Sequence, residues 1–218
     1  MVQPTDTLES SGMRLRPLLF FAIATACTDA RTRALDGLHG VKLAPVRAKP
    51  AFTLEDTDGH PFDFQSATRG EVTLLYFGYT YCPDVCPQHL SNIAAALKTM
   101  PAADQARVRV VFVTTDPARD TPERLRGWLN NFDKRFIGLR GNMQDVNQIQ
   151  AGLGLAPATM EQMPGMQPGP RIATYGVGHA AQVLAFTPDD SLRTEYPSGF
   201  SMSDWAHDLP KLLKITNP

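Results

Sequence analysis

An α/β fold with a mostly parallel central sheet is the class that this sequence predicts, and three observations carry it. Two apolar runs, Val72–Phe77 and Val108–Thr114, have the unbroken character of strands covered on both faces. Each is followed by a segment whose apolar residues recur at helical spacing, and strand–helix alternation of this kind requires parallel pairing through crossovers. Segments that read as hairpins stand on either side and supply antiparallel edges.

Taken in order, Ala51–Leu54 and Pro61–Phe64 flank the turn Asp56-Thr57-Asp58-Gly59 and read as the first hairpin. After the strand Val72–Phe77, Pro83 and Asp84 suit the first turn of a helix that runs to about Met100. Its apolar positions Leu90, Ile93, Ala94 and Leu97 keep helical spacing. Val108–Thr114 follows as a second central strand. Pro122 then suits the first helical position of a new helix, with Asp120 as its expected N-cap and Leu125, Trp128, Leu129 and Phe132 as its apolar face. Phe136–Leu139 reads as a short strand, and Asn142 caps a helix over Met143–Gly152. Ala181–Phe186 and Leu192–Tyr196, joined by Pro188-Asp189-Asp190-Ser191, make a second hairpin. An amphipathic helix over Ser203–Lys214 closes the chain, with a kink expected at Pro210. Hairpin, strand–helix–strand–helix, hairpin and final helix is the order of a thioredoxin-like domain, placed over residues 51–214.

A chain of 218 residues with 43% hydrophobic content has material for one sizeable core. Its net charge of −1 leaves no footprint for nucleic acid. Met13-Arg14-Leu15-Arg16, the apolar stretch Pro17–Ala26 and the small-residue pattern Ala24-Thr25-Ala26 read as an export signal within residues 1–27, with Met13 as an alternative start. The stretch is shorter than the about 20 residues of a membrane span. Cys27 falls at the position lipidated in bacterial lipoproteins, although Ala24 stands where such signals carry Leu. The expected location is the periplasm or the periplasmic face of the inner membrane, where disulfides are permitted. Residues 28–50, small, basic and Pro-containing, read as a tether.

Cys82 and Cys86, in Tyr81-Cys82-Pro83-Asp84-Val85-Cys86-Pro87, stand where a strand hands over to a helix N-terminus. The helix dipole favours thiolate there. Spacing of i and i+4 puts both on one face with Cα atoms roughly 6 Å apart, inside the disulfide window. The pair can therefore close as a disulfide or open as a two-sulfur clamp for a soft metal. His89, three residues after Cys86, is a local candidate for a further ligand. His39, His60 and His207 carry no motif and read as surface residues. Asp116, at a strand end, reads as a hydrogen-bonding support for the site's edge, and Asp84 as a residue that favours the helix dipole. Met160, Met163 and Met166, in a Pro/Gly-rich stretch, are either thioether ligands for a soft metal or adaptable apolar filler.

The segment Gly78–Pro87 resembles the signature of the Sco/SenC copper-binding proteins, and so does Thr115–Leu125 some thirty residues on. Tyr175-Gly176-Val177-Gly178-His179 stands where that family carries its ligand histidine, and the likeness covers about Pro50 to Lys214. The resemblance implies a thioredoxin-like domain that binds one copper ion, Cu(I) or Cu(II), through Cys82, Cys86 and His179. It further implies help in assembling the CuA centre of cytochrome c oxidase. The copper-bearing subunit of the oxidase would then be the partner, with other copper carriers beside it and an N-terminal membrane anchor. Gly178 departs from the Asp common before the histidine. Two sulfurs and one imidazole form a soft three-ligand set, whereas structural zinc usually takes four protein ligands. A redox-active Cys82–Cys86 disulfide supports an alternative role, a thiol–disulfide oxidoreductase that reduces the target's cysteines. A peroxidase is disfavoured, because such enzymes usually place their attacking cysteine in a different local pattern, and no acid–base catalytic residue is expected.

Overall fold

The computed structural model describes residues 37–162 and 175–215, together with Met1. Its strands are β1 (Val41–Ala48), β2 (Thr53–Asp56), β3 (Pro61–Asp63), β4 (Val72–Gly78), β5 (Val108–Thr114), β6 (Ile137–Arg140), β7 (Thr159–Gln162), β8 (Tyr175–Gly178), β9 (Val183–Thr187) and β10 (Ser191–Tyr196). Its helices are α1 (Phe64–Ala67), α2 (Val85–Lys98), α3 (Ala102–Gln105), α4 (Pro122–Leu129), α5 (Met143–Gly152) and α6 (Met202–Leu212). Eight strands form one sheet in the order β1-β10-β9-β4-β5-β6-β2-β3, while β7 and β8 form a separate two-stranded sheet.

The centre of the large sheet is parallel, as the alternation predicted. β4 pairs with β5 from Val72↔Val108 to Gly78↔Thr114, and β5 pairs with β6 in the same sense. Antiparallel strands flank this centre on both sides. Every residue of β4 is buried, which explains its unbroken apolar run. Period-two alternation divides the core between the two faces. Leu74, Tyr76 and Phe112 pack with Leu90, Ile93 and Leu97 of α2, Leu125 and Leu129 of α4, and Trp205 and Leu209 of α6. Leu75, Phe77, Val111 and Val113 pack on the other face with Phe64 of α1 and Val146 of α5. β4 and β5 end together at Gly78↔Thr114, and the cysteine loop and the turn carrying Asp116 and Asp120 leave from that end.

Four expectations change. Residues 41–48 of the expected tether are β1, paired with β10 from Val41↔Glu195 to Ala48↔Ser191. β1 is an edge strand with mostly exposed side chains and a Pro at its centre, so it shows no alternation to read. Its entry is fastened to α6, where buried Asp208 accepts the backbone N–H groups of His39 and Gly40. His39 is at the surface, as expected, and its ring stacks on that of partly exposed His207 at 3.9 Å above this junction. Phe64 leaves the first hairpin to begin α1, because the Asp63 side chain caps the Ser66 N–H. The stretch that read as a Pro/Gly-rich loop contributes β7, which pairs with β8. Pro210 lies in the last turn of α6.

Asp120 is the fourth change. The N-cap of α4 is Thr121, whose side chain accepts the Arg124 N–H. Asp120 points inward instead and is fully buried. It accepts hydrogen bonds from the Thr80 N–H at 3.0 Å, the Thr80 hydroxyl at 2.5 Å and the Thr114 hydroxyl at 2.6 Å. One carboxylate thus ties the loop after β4 to the end of β5. The export signal, Cys27, Met163 and Met166 lie outside the described residues. No helix among the described residues is long and apolar enough to cross a membrane.

Removing the Asp120 carboxylate leaves buried donors without an acceptor. Asp120→Ala is expected to cost about 3 kcal/mol of stability, measured by urea unfolding. A loss below about 1 kcal/mol would show that the two loops are held by other contacts.

Candidate metal centre

The site begins at the junction of β4 and α2, which Gly78 makes unusually close. A β-carbon on Gly78 would lie 2.6 Å from Cys86 Sγ and 2.9 Å from the Phe112 ring, so only glycine admits the first turn of α2 here. Cys86 is consequently fully buried. The Tyr76 hydroxyl donates to its Sγ at 3.3 Å. Cys82 precedes the helix and stays half-buried, with its Sγ accepting the Cys86 N–H at 3.4 Å. Both cysteines are free thiols.

His179 follows β8 directly. Its Nε2 lies 3.5 Å from Cys86 Sγ, and its Nδ1 lies 3.0 Å from the Ala180 carbonyl. A carbonyl only accepts, so Nδ1 carries the proton, and Nε2 turns its lone pair toward the sulfurs. Ligand atoms of Cys82, Cys86 and His179 all lie within 4.8 Å of one another. The three residues named from sequence therefore converge. His89 does not join them. It is buried beneath α2 with its ring edge-on to Tyr76 at 5.3 Å, and burial lowers its pKa.

The two thiols are electrostatically unlike. The Cys86 thiol donates to Cys82, and backbone N–H groups add to it, so the Cys82 pKa falls to about 3. Burial pushes the Cys86 thiol well above its ordinary value, and the charge on Cys82 pushes it further. Burial also raises the Tyr76 hydroxyl, which stays protonated and available as a donor. The site therefore favours a thiolate at Cys82 and a thiol at Cys86.

Several residues of the site were not read from sequence. The Tyr79 ring meets the His179 ring edge-on at 5.6 Å, and Tyr76 meets it at 6.1 Å. Arg119 and Tyr175 brace the approach of β8, with Asp116 receiving both. Asp116 thus supports the site's edge, as expected. Asp84 occupies the N-cap position of α2 without a side-chain cap hydrogen bond. Met160 lies on β7 opposite Val177 and is 80% exposed. It shares a cleft of about 380 Å³ with Met143, Asp116 and Tyr175. The donor set of two sulfurs and one imidazole suits copper in either oxidation state. Cys82 leaves one side open to solvent.

Fold and site together define a thioredoxin-like protein with a two-cysteine, one-histidine centre. The SCO1/SenC family profile matches residues 42–214, and the chain belongs to that family. A Stutzerimonas stutzeri protein named "Putative copper-binding protein" is 32% identical over 203 residues, covering 91% of this chain and 94% of its own. Protein SCO2 of Saccharomyces cerevisiae mitochondria is 35% identical over 98 residues, 45% of this chain and 32% of that protein. Among solved structures, apo Sco1 of Thermus thermophilus matches with a TM-score of 0.68 at 31% identity, covering 81% of this chain and 97% of the other. ScoI of Bradyrhizobium japonicum, solved with copper bound, matches with 0.62 at 27% identity, covering 76% and 99%.

The unlike thiols set a pH dependence. Because the Cys82 pKa is depressed, its thiolate is fully populated well above about 3 and is lost only as pH falls through that value. Alkylation of Cys82 in the reduced protein should keep one rate between about pH 5 and pH 8, whereas an ordinary thiol would speed up roughly tenfold per unit. Cys86 should resist modification throughout. Mass spectrometry of the labelled peptide distinguishes the two sulfurs, and equal labelling would refute their inequality.

Proposed function

We propose that this protein is a copper metallochaperone that binds one copper ion through Cys82, Cys86 and His179 and assists assembly of the CuA centre of cytochrome c oxidase. The observation that carries this reading is the convergence of three soft-to-borderline ligand atoms within 4.8 Å at the open end of the sheet. The name of the Stutzerimonas stutzeri relative and the copper-bound ScoI structure support it. When bound, copper supplies the cargo. The chain's own residues supply a thiolate already formed at Cys82, a second sulfur that must release its proton on ligation, and an imidazole held in the ligating tautomer. The half-exposed Cys82 gives an acceptor protein a side from which to exchange ligands. Anchoring at the periplasmic face of the membrane through Cys27, and the oxidase subunit and other copper carriers as partners, belong to the same proposal; they rest on the sequence pattern and the family likeness.

A second reading is a thiol–disulfide oxidoreductase that reduces the copper-site cysteines of the target. The pairing of an accessible thiolate with a buried thiol favours it, since one sulfur can attack and the other resolve. His179 separates the two roles. Metal analysis of the reduced full chain should find one copper, lost or weakly held in Cys82→Ser, Cys86→Ser and His179→Ala. His179→Ala should retain disulfide reduction. Copper bound at unchanged affinity by all three variants would overturn the metallochaperone reading, and reduction lost with His179 would argue against a separable thiol role.

A further inference from the structure

β7 and β8 share no backbone ladder with the eight-stranded sheet, yet β8 carries His179 to the cysteines. Side chains must therefore fix where that ribbon sits. Arg119, in the turn between β5 and α4, grips it by several contacts at once. Its Nη1 donates to the Tyr175 carbonyl at 3.1 Å, and its guanidinium lies 3.7 Å from the centre of the Tyr175 ring. The same guanidinium faces the ring of Tyr81 at 4.8 Å and that of Tyr79 at 5.8 Å. It also forms an ion pair with buried Asp116, which in turn accepts the Tyr175 hydroxyl at 2.8 Å. Tyr175 opens the strand that ends beside His179. Tyr81 directly precedes Cys82. Tyr79 meets the His179 ring. One cation thus holds both segments that supply ligands.

We propose that Arg119 is a positioning residue for His179, clipping the β7–β8 ribbon to the cysteine loop and so setting the affinity of the metal centre. This rests on the copper reading above. The chemistry calls for arginine rather than lysine. A planar guanidinium can stack on an aromatic ring while donating in its plane to a carbonyl and a carboxylate, and an ammonium cannot do both. Asp116 orients the guanidinium, so the clip has a buried counter-charge and does not depend on solvent-exposed pairing.

The test measures Cu(I) affinity of the full chain by competition with a chromophoric Cu(I) chelator. Arg119→Ala should weaken binding about 10- to 100-fold, in the range of lost supporting contacts at metal sites. Arg119→Lys should recover only part of that. The double variant Arg119→Ala/His179→Ala should bind no more weakly than His179→Ala alone, because Arg119 acts through the histidine. Wild-type affinity in Arg119→Ala, or penalties that multiply in the double variant, overturns the proposal. A second readout needs no metal. In the apo protein, magnetisation transfer between the Tyr79 and His179 rings should be present in the wild type and lost in Arg119→Ala; persistence of that contact also overturns the proposal. Failure of the wild type to bind copper would instead sink the copper reading, leaving the ring contact to decide the positioning role. Should Arg119→Ala not fold, Arg119→Lys and Tyr175→Phe carry the same two measurements, each expected to weaken affinity and the ring contact in step.

Discussion

Everything in the site depends on the close approach of α2 to β4 at Gly78. Cys86 Sγ occupies the space that any larger residue's β-carbon would need, and Phe112 of β5 closes the other side. That packing is a property of the core, in which Cys86 lies among Leu74, Tyr76, Leu90 and Phe112. Close-packed interiors tolerate little displacement, so the buried sulfur has one position. Cys82, outside the first turn, is spared this confinement and keeps solvent on one side. The contrast between the two sulfurs follows from where the helix begins.

The inequality has chemical consequences for both uses of the pair. A depressed Cys82 pKa makes that sulfur a ready ligand and a good leaving group, while Cys86 must shed a proton before it can ligate or attack. The Tyr76 hydroxyl, aimed at Cys86 Sγ, is the neighbour that can accommodate the change, since a thiolate accepts a stronger hydrogen bond than a thiol. Disulfide formation and metal ligation would consume the same two sulfurs, so on the two proposed readings they are alternative states of one site. Only ligation engages His179, and that is why the histidine's placement distinguishes the functions while the cysteine spacing does not.

The parts of the fold that are legible in the sequence are those whose burial is imposed by local pattern. β4, β5, α2 and α5 show it: unbroken apolar runs, helical spacing and, at Asn142, a cap that the structure keeps. β1 was illegible because an edge strand with exposed side chains has no face to advertise. β7 and β8 were illegible because two short strands find each other only through tertiary placement. Asp120 misled because two adjacent residues could each cap α4, and the one next to Pro122 does so while its neighbour serves the core. At the site, Cys82 and Cys86 announce themselves by spacing at a strand–helix junction. His179 is legible only through family likeness, and Arg119 and Tyr76 only once separate strands and loops stand together.

The centre is therefore made of two unequally fixed parts. Its sulfurs belong to the strand–helix junction, and Cys86 could move only at the expense of core packing. Its imidazole belongs to a ribbon outside the main sheet, held by a cation, three tyrosine rings and a buried carboxylate. Local opening free energies are lowest where no shared ladder holds an element, so opening is expected at the ribbon before the strand–helix junction. A ligand set that comes apart at the histidine first keeps both sulfurs in place through the exchange. On the metallochaperone proposal, rigidity at two ligands and a breakable clip at the third is the division of labour that the fold offers.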